Sequence, residues 1–275
     1  MTAIDPMARV SPGASIGAGA MIGPYCVVGP HAVVGERCRL VAHVHVAGHT
    51  TIGARTAVYP FASLGTPPQS MKYRGGPTRL EIGADCDIRE NVTINIGTED
   101  DRGVTEIGDH CVLMAGSHVA HDCKLGAHVT FANNVVVGGH VSIGDHAFFG
   151  GQAAVRQFVR IGEGAMIAGL SGIRADIIPW GLAQGRLATH VGINVVGLAR
   201  RGFTKTDIRR LRQAFRQLFL GDGEFRDRLA WVEKTYSGDP LVAGVVAFIR
   251  AGKRPLSTAS RRHREGGGDA RAEDE

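Results

Sequence analysis

A hydrophobic residue recurs at every sixth position through most of residues 4–173. The uninterrupted series run from Ile4 to Val58, from Ile82 to Ile94 and from Ile107 to Ile173. A period of six matches neither the period of an α-helix nor the simple alternation of a strand. It is typical of a hexapeptide solenoid, a parallel β-helix of very short strands joined by tight turns. Because such a fold hides its core inside a narrow prism, its chemistry must lie in turns, insertions and subunit interfaces.

The fourth residue after each repeated hydrophobic residue is usually small or β-branched, which indicates a second inward-facing position. This position holds every cysteine of the chain: Cys26, Cys38, Cys86, Cys111 and Cys123. A free cysteine behaves as a small buried hydrophobic residue. The odd number and the lack of a secretory signal argue against a disulfide framework, and no C-x2-C pair suggests a zinc site. We therefore expect a reduced, cytoplasmic protein.

Charge and composition argue against several classes of protein. The formal net charge is +5, and aromatic residues make up 6% of the chain. This combination does not predict a nucleic-acid-binding protein, which needs a strong basic stripe or stacking aromatic residues. The modest positive charge suits an acidic partner or a phosphorylated substrate. No apolar run is long enough for membrane insertion.

The periodicity predicts a mainly β protein with a small α-helical C-terminal domain. The helical pattern begins after Thr204 and Asp207, which resemble a capping box, and further helices are predicted over about 224–236 and 241–250. The polar end of the chain, rich in glycine and arginine, predicts disorder. The predicted parts are a hexapeptide domain (1–176), a connector (177–202), the helical domain (203–252) and a disordered tail (253–275).

The hexads are interrupted at two places. One is an inserted loop at about residues 63–79, which contains pairs of prolines and of glycines. The other is the 98–105 segment, where the spacing between repeated residues exceeds two hexads by one residue. Long excursions from a regular scaffold are typical places for function.

Most histidines occupy one position of the repeat. Seven of them fall three residues after the repeated hydrophobic residue, where an outward-facing turn residue is the ordinary interpretation: His31, His43, His49, His110, His128, His140 and His146. His121 differs because Asp122 follows it directly. A histidine supported by a carboxylate is what general-base catalysis requires. Adjacency alone does not establish the contact, since neighbours in an extended segment point to opposite sides.

Four segments resemble the acyl-carrier-protein:UDP-N-acetylglucosamine O-acyltransferase family. They are KYRGGPTRLEIG (72–83), HVAHDCKLG (118–126), FANNVVVGGHVSIGDHAFFGG (131–151) and GINVVGLARRGF (192–203). The resemblance implies a left-handed β-helix, a homotrimer with active sites between neighbouring subunits, and the first step of lipid A synthesis. The implied reaction transfers a 3-hydroxyacyl group from acyl carrier protein to the 3-position of the UDP-sugar.

The resemblance also implies roles for particular residues. His121 is the expected general base, Asp122 orients it, and the backbone N–H of Gly139 binds the oxyanion of the tetrahedral intermediate. Gly139 would otherwise be a turn glycine. Arg200 and Arg201 suit the diphosphate. The remaining substrate-binding residues by this resemblance are Gln69, Lys72, His118, His140, Gln157 and Asn194. The activated thioester requires no cofactor and no metal.

Some positions depart from the family pattern. Arg156, Ser70 and Val196 replace a histidine and two acidic residues, which makes the acceptor region more positive. We therefore keep open a 3-amino analogue of the sugar as the acceptor, with an amide product. By the resemblance, Gly169 matches the position that limits the acyl channel, and its small size predicts a chain of about twelve to fourteen carbons rather than ten.

Other functions of the same scaffold stay open at this point. A hexapeptide N-acyltransferase for lipid A normally carries an additional N-terminal domain, whereas the hexads here start at Ile4. An acetyltransferase that uses coenzyme A does not explain the inserted loop and helical domain, which suit a larger donor. A metal-binding trimer of the carbonic-anhydrase kind needs converging zinc ligands, for which His118, His121 and His140 are the candidates. A purely structural solenoid does not explain the His121–Asp122 pair.

Overall fold

The computed structural model describes residues 2–259 and confirms a β-helix built from hexads. Its strands have two to five residues and are joined by tight turns. In chain order they are β1 (Ala3–Ile4), β2 (Arg9–Val10), β3 (Ser15–Ile16), β4 (Met21–Ile22), β5 (Val27–Val28), β6 (Val33–Val34), β7 (Arg39–Leu40), β8 (His45–Val46), β9 (His49–Ile52), β10 (Ala57–Val58), β11 (Ser63–Thr66), β12 (Arg79–Ile82), β13 (Asp87–Ile88), β14 (Thr93–Asn95), β15 (Val104–Ile107), β16 (Val112–Leu113), β17 (His118–Val119), β18 (Lys124–Leu125), β19 (Thr130–Phe131), β20 (Val136–Val137), β21 (Ser142–Ile143), β22 (Phe148–Phe149), β23 (Ala154–Val155), β24 (Arg160–Ile161), β25 (Met166–Ile167), β26 (Gly172–Ile173), β27 (Gly181–Gln184) and β28 (Thr189–Ile193).

The strands form the three faces of a prism. From β1 to β26, every third strand joins the same sheet in parallel, so that Met21 pairs with Arg39 and Val112 pairs with Thr130. The first sheet has the order β1-β4-β7-β10-β13-β16-β19-β22-β25-β27-β28. The second runs β2-β5-β8-β11-β14-β17-β20-β23-β26, and the third runs β3-β6-β9-β12-β15-β18-β21-β24. One coil therefore consists of three hexads.

The prism is filled by the two inward-facing positions of each hexad. The repeated aliphatic residues are buried from Ile22 onward, and Phe131 and Phe149 pack edge to face with ring centroids 4.8 Å apart. All five cysteines are free and buried, as the repeat predicts. Removing this apolar surface from water is the main source of stability. Polar side chains are thereby directed to the turns.

The turns stack into three columns, which we call corners. Their residues adopt left-handed backbone conformations, a region in which Asn, Asp and His are enriched. Each corner residue donates its backbone N–H to the preceding coil, as His140 does to the carbonyl of His121 at 3.0 Å. The first corner contains Asp122, His140 and Phe158; the second contains Asn134, Gln152 and Leu170; the third contains His110, His128, His146 and Gly164.

The C-terminal part is helical and packs around a second core. Its helices are α1 (Val195–Arg200), α2 (Lys205–Leu220), α3 (Phe225–Thr235) and α4 (Pro240–Arg250). Thr204 and Asp207 form the predicted capping box at the start of α2. Buried Leu211, Leu218 and Val245 contribute to the apolar core between the helices. No helix within the described residues is long and apolar enough to cross a membrane.

The structure corrects three expected boundaries. β11 continues to Thr66, so the inserted loop is confined to residues 67–78. The connector contains the antiparallel hairpin β27–β28 and helix α1, which lack the six-residue period and were therefore not predicted. The prediction of disorder is wrong for residues 253–259, because Leu256 and Ala259 bridge to Asp176 and His190. The remainder of the predicted tail lies outside the described residues.

Candidate active site

The predicted base, His121, contacts Asp122 directly. Nδ1 of His121 lies 2.9 Å from Oδ2 of Asp122. Asp122 occupies the first corner with a φ of +58°, so the two side chains do not point apart as they would along a strand. A carboxylate only accepts hydrogen bonds, so Nδ1 carries the proton and Nε2 of the neutral ring is the basic nitrogen.

Asp122 is a buried carboxylate held by the 98–105 segment. Its side chain is fully buried. Thr98 donates its backbone N–H to the carboxylate at 3.1 Å and its hydroxyl to Oδ2 at 2.6 Å. The backbone N–H of Asp122 donates to the hydroxyl of Thr105 at 2.9 Å. These bonds fix the carboxylate, and through it the ring of His121.

Gly139 lies directly against the ring of His121. A Cβ atom at Gly139 would stand 2.6 Å from Cε1 and 2.7 Å from Nε2 of His121. Only glycine therefore lets the ring occupy its observed place. No acceptor for the backbone N–H of Gly139 is found among residues 2–259, and the same residue lines the cavity described below. A free backbone donor beside the base is what an oxyanion site requires.

His118 is a second histidine on the same face. Its Nδ1 lies 2.8 Å from the hydroxyl of Thr93 in the neighbouring strand β14. Burial, and then the proximity of His121, hold the pKa of His118 below its ordinary value. His118 is therefore neutral near pH 7 and offers a ring nitrogen for hydrogen bonding.

His121 lines a cavity of about 320 Å³ on the second sheet. The lining residues are Gln69, Asn95, His118, Ala120, His121, Val136, Val137, Gly138, Gly139, Val155 and Gln157. This mixture of valine side chains and a few polar groups suits an acyl chain attached to a polar head. A larger hollow of about 680 Å³ lies between α2 and α3 and contains none of the predicted site residues. We therefore place the chemistry in the smaller cavity.

His140 is a neighbour of His121 that does not line this cavity. Its ring meets that of His121 edge to face with centroids 4.8 Å apart, and it stacks on Phe158 at 4.3 Å. Its Nδ1 lies 2.5 Å from Oδ2 of Asp101. The site thus contains two adjacent histidine–aspartate pairs.

The 98–105 segment connects the histidines to the inserted loop. Glu99 accepts hydrogen bonds from the backbone N–H groups of Gly76 at 2.6 Å and Arg74 at 3.2 Å. Thr98 and Asp101, in the same segment, reach Asp122 and His140. Sequence reasoning identified the segment by its extra residue but did not assign a role to Thr98 or Asp101. The irregular spacing was the available signal.

Some of the other predicted residues line the cavity of His121, and others lie outside it. Gln69 and Gln157 line the cavity, and Lys72 is exposed on the inserted loop. The side chain of Asn194 is occupied by protein contacts, since it accepts from the N–H of Gly197 at 2.8 Å and donates to the carbonyl of Gly164 at 2.9 Å. Arg200 and Arg201 are exposed at the end of α1 and the residue after it.

These residues belong to different corners of the prism. His121, Asp122, Gly139 and His140 surround the first corner, whereas Gly169 precedes Leu170 of the second. The connector residues face the third corner, where Asn194 bonds to Gly164, and where burial and then the charge of Arg201 lower the pKa of His146. A single prism therefore does not gather all of the predicted residues around one base.

The histidines also form the one group with metal-ligand spacing found among the described residues. Donor atoms of His121, Asp122 and His140 lie within 4.8 Å of one another. This set differs from the expected trio, because Asp122 takes the place of His118. Both histidines use Nδ1 to donate to a carboxylate, and Asp122 already accepts from Thr98. The donor set is therefore satisfied by hydrogen bonds.

Two family models match the chain. Residues 176–257 match the second domain of UDP N-acetylglucosamine O-acyltransferase. Residues 13–48 and 105–139 match the hexapeptide repeat of bacterial transferases. The two matches fall on the helical part and on the prism respectively.

Individual relatives share one description. The acyl-[acyl-carrier-protein]–UDP-N-acetylglucosamine O-acyltransferase of Azorhizobium caulinodans is 53% identical over 94% of this chain and 96% of its own length. The protein of the same name from Paracoccus denitrificans is 50% identical over 70% of this chain and 72% of its own. The first of these similarities extends across both parts of the fold.

Solved structures agree with the sequence comparison. The UDP-N-acetylglucosamine acyltransferase of Campylobacter jejuni has a TM-score of 0.88 at 36% identity, covering 94% of this chain and 100% of its own. That of Francisella novicida has a TM-score of 0.91 at 31% identity, covering 94% and 95%. This likeness confirms the left-handed β-helix followed by a small helical part.

Proposed function

The chain belongs to the acyl-[acyl-carrier-protein]–UDP-N-acetylglucosamine O-acyltransferase family, and we propose that His121 is the general base of its reaction. The enzyme transfers an acyl group from acyl carrier protein to UDP-N-acetylglucosamine in lipid A synthesis. The observation that carries the assignment of the base is the His121–Asp122 hydrogen bond beside a cavity of suitable composition.

The proposed chemistry begins with the sugar hydroxyl. Nε2 of His121 takes the hydroxyl proton while the oxygen attacks the thioester carbonyl carbon. The resulting tetrahedral intermediate collapses with cleavage of the carbon–sulfur bond. The imidazolium then returns the proton to the departing thiolate, which leaves as the thiol of the carrier protein. No external oxidant, reductant or metal enters this balance.

Asp122 stabilises the charge that develops on His121. Its carboxylate keeps Nδ1 protonated and faces the imidazolium formed during attack. Because Thr98 fixes the carboxylate, little reorganisation is needed at the moment of proton transfer. The N–H of Gly139, beside the ring of His121, is the proposed donor to the oxyanion.

The substrate-binding roles follow the chemistry of each residue. Gln69, His118 and Gln157 line the cavity and are proposed to contact the sugar or the acyl hydroxyl. The exposed cations Lys72, Arg200 and Arg201 suit the diphosphate. We also propose His140 and Asn194 as substrate contacts, although Asn194 would have to exchange its capping bonds. The acyl group is proposed to be a 3-hydroxyacyl chain transferred to the sugar 3-position.

We propose that the enzyme is a homotrimer. The separation of the predicted residues over three corners supports this assembly, because a second prism can bring Gly169, Arg200 and Arg201 toward the His121 of its neighbour. A closed cyclic arrangement is the usual solution for identical subunits. The five free thiols and the acyl-carrier donor are compatible with the proposed cytoplasmic location.

The 3-amino sugar is the second candidate acceptor. It is favoured by the positive character of Arg156 and by the uncharged Ser70 and Val196. A comparison of turnover with the 3-hydroxy and 3-amino sugars decides between them. Strong preference for the hydroxy form would exclude the amide-forming reaction.

The assignment of the base is tested by acyl transfer in the His121→Ala variant. A matched control is His49→Ala, which removes an exposed histidine at the start of β9 that does not line the cavity. We expect transfer to be lost in the first variant and kept in the second. Equal activity in both would reject His121 as the base.

A further inference from the structure

We propose that Asp101 is a positioning residue that fixes the tautomer and orientation of His140 for binding of the acceptor sugar. This inference rests on the proposed function and extends it to a residue of the 98–105 segment. The contact joins residues 39 apart in sequence, with Oδ2 of Asp101 at 2.5 Å from Nδ1 of His140. It exists because the extra residue of the segment carries Asp101 out of the hexad register.

The contact determines which nitrogen of His140 is available. Because a carboxylate can only accept, the proton of the neutral ring must lie on Nδ1. Nε2 is then left without a proton and can accept a hydrogen bond from a substrate hydroxyl. Without Asp101 the ring would interconvert between its two neutral forms, and one of them would present a donor instead.

The ring of His140 is also held in place on two other sides. Phe158 lies parallel to it, at an interplanar angle of 2°, and His121 meets it edge to face. The side chain of His140 is 16% exposed, so one part of the ring still reaches the surface of the first corner. Stacking restrains the plane of the ring, but it does not select a tautomer. The hydrogen bond to Asp101 supplies that selection, since the carboxylate of Asp122 lies 3.9 Å from the same nitrogen, beyond hydrogen-bonding distance.

Asp101 is not needed to hold its own segment. Thr98 anchors the segment to Asp122, Glu99 anchors it to the inserted loop, and Arg102 pairs with Glu106 at 2.6 Å. The hydrogen bonds and ion pairs of the Asp101 side chain found among the described residues are all with His140. Its removal should therefore leave the backbone of the segment in place and act through His140.

A double-mutant cycle tests this dependence. We expect Asp101→Ala to raise the KM for the UDP-sugar about fivefold to tenfold, the effect of losing one neutral hydrogen bond between His140 and the sugar, with kcat within about twofold. In a His140→Ala background the same substitution should add no further change. Asp101→Asn keeps an acceptor oxygen for Nδ1 and should recover part of the loss.

The matched control is Asp100→Ala. Asp100 belongs to the same segment and pairs with Arg74 at 2.9 Å on the surface, where an ion pair contributes little. The Asp100→Ala substitution should leave the KM for the UDP-sugar unchanged. The proposal would be overturned if Asp101→Ala left the KM for the UDP-sugar unchanged. It would also be overturned if the two substitutions raised this KM additively in the Asp101→Ala, His140→Ala protein.

The same assay separates this proposal from the proposed function. Transfer by the unmodified protein and its loss in His121→Ala test the reaction itself. If both are observed but the effects of Asp101→Ala and His140→Ala on the KM are additive, the reaction stands and the role of Asp101 is rejected. If the unmodified protein transfers no acyl group to either sugar, the proposed function fails first.

Discussion

The ring of His121 rests against the α-carbon of Gly139, at a distance that leaves no room for a side chain. A Cβ atom there would stand 2.6 Å from Cε1 of the histidine. Gly139 is therefore required by the base itself, in addition to any role of its N–H toward an oxyanion. The two residues belong to consecutive coils, and the stacking of the coils brings them together.

Gly139→Ala should displace the ring of His121 while preserving the fold. Because a misplacement of about 1 Å can cost roughly 100-fold in rate, we expect kcat to fall by about that factor. The measurement is steady-state acyl transfer, with thermal unfolding as a check on folding. Gly151→Ala is the control, since its nearest neighbour would be 3.4 Å away. A kcat close to that of the control would contradict this account of Gly139.

Asp122→Asn should impair catalysis more than binding. The amide cannot offer two acceptor oxygens to His121 and Thr98, and it cannot stabilise an imidazolium by charge. We expect kcat to fall by roughly 100-fold or more, with a much smaller change in KM. A large increase in KM at constant kcat would show instead that Asp122 serves substrate binding.

His190 should make the stability of the folded protein depend on pH. It is fully buried, donates from Nδ1 to the carbonyl of Ser257 at 3.0 Å and accepts at Nε2 from Ile178. Burial lowers its pKa from 6.5 to about 4. The unfolded chain therefore binds a proton between these values while the folded chain does not, and the free energy of unfolding falls as the pH is lowered through this window.

The expected contribution of His190 to this loss is about 3 kcal/mol over the whole window, with no further loss below about pH 4. Denaturant unfolding at one fixed protein concentration measures it. His190→Gln removes the titrating group. The free energy of unfolding of this variant should therefore decrease less between neutral pH and pH 4. An identical dependence of the free energy of unfolding on pH in the two proteins would contradict the assignment of a neutral buried imidazole.

Gly169 should influence the preferred acyl length. The residue is exposed and its φ is not in the left-handed region, but a Cβ atom there would stand 3.2 Å from the carbonyl oxygen of Gly151, so a methionine requires a small shift of that carbonyl. If it lies at the end of the acyl channel formed with a neighbouring subunit, Gly169→Met should shift the preference to shorter chains. Competition between acyl carrier proteins of different lengths measures the shift, and an unchanged preference would exclude Gly169 as the limiting residue.

Much of the fold follows from local repetition in the sequence. The period of six predicts parallel coils, and the position of each cysteine in the repeat predicts its burial. The capping box at Thr204 is also a local pattern, and the structure confirms it. The hairpin β27–β28 could not be predicted in this way, because it depends on pairing with the last coil of the prism.

The site was predictable to the extent that it uses consecutive residues. His121 and Asp122 stand next to each other, so the pair is visible in the sequence. Asp101 and His140 are far apart, and only the irregular segment brings them together. His190 also depends on residues far away in sequence, since its ring and backbone bond to Ser257 and Thr258.

The central claim is that His121 removes the proton from the acceptor sugar. The most direct measurement is transfer from 3-hydroxyacyl carrier proteins to UDP-N-acetylglucosamine by the unmodified protein, His121→Ala and His49→Ala. The account predicts transfer by the first and third proteins and its loss in the second, with all three folded. Undiminished transfer by folded His121→Ala would contradict it.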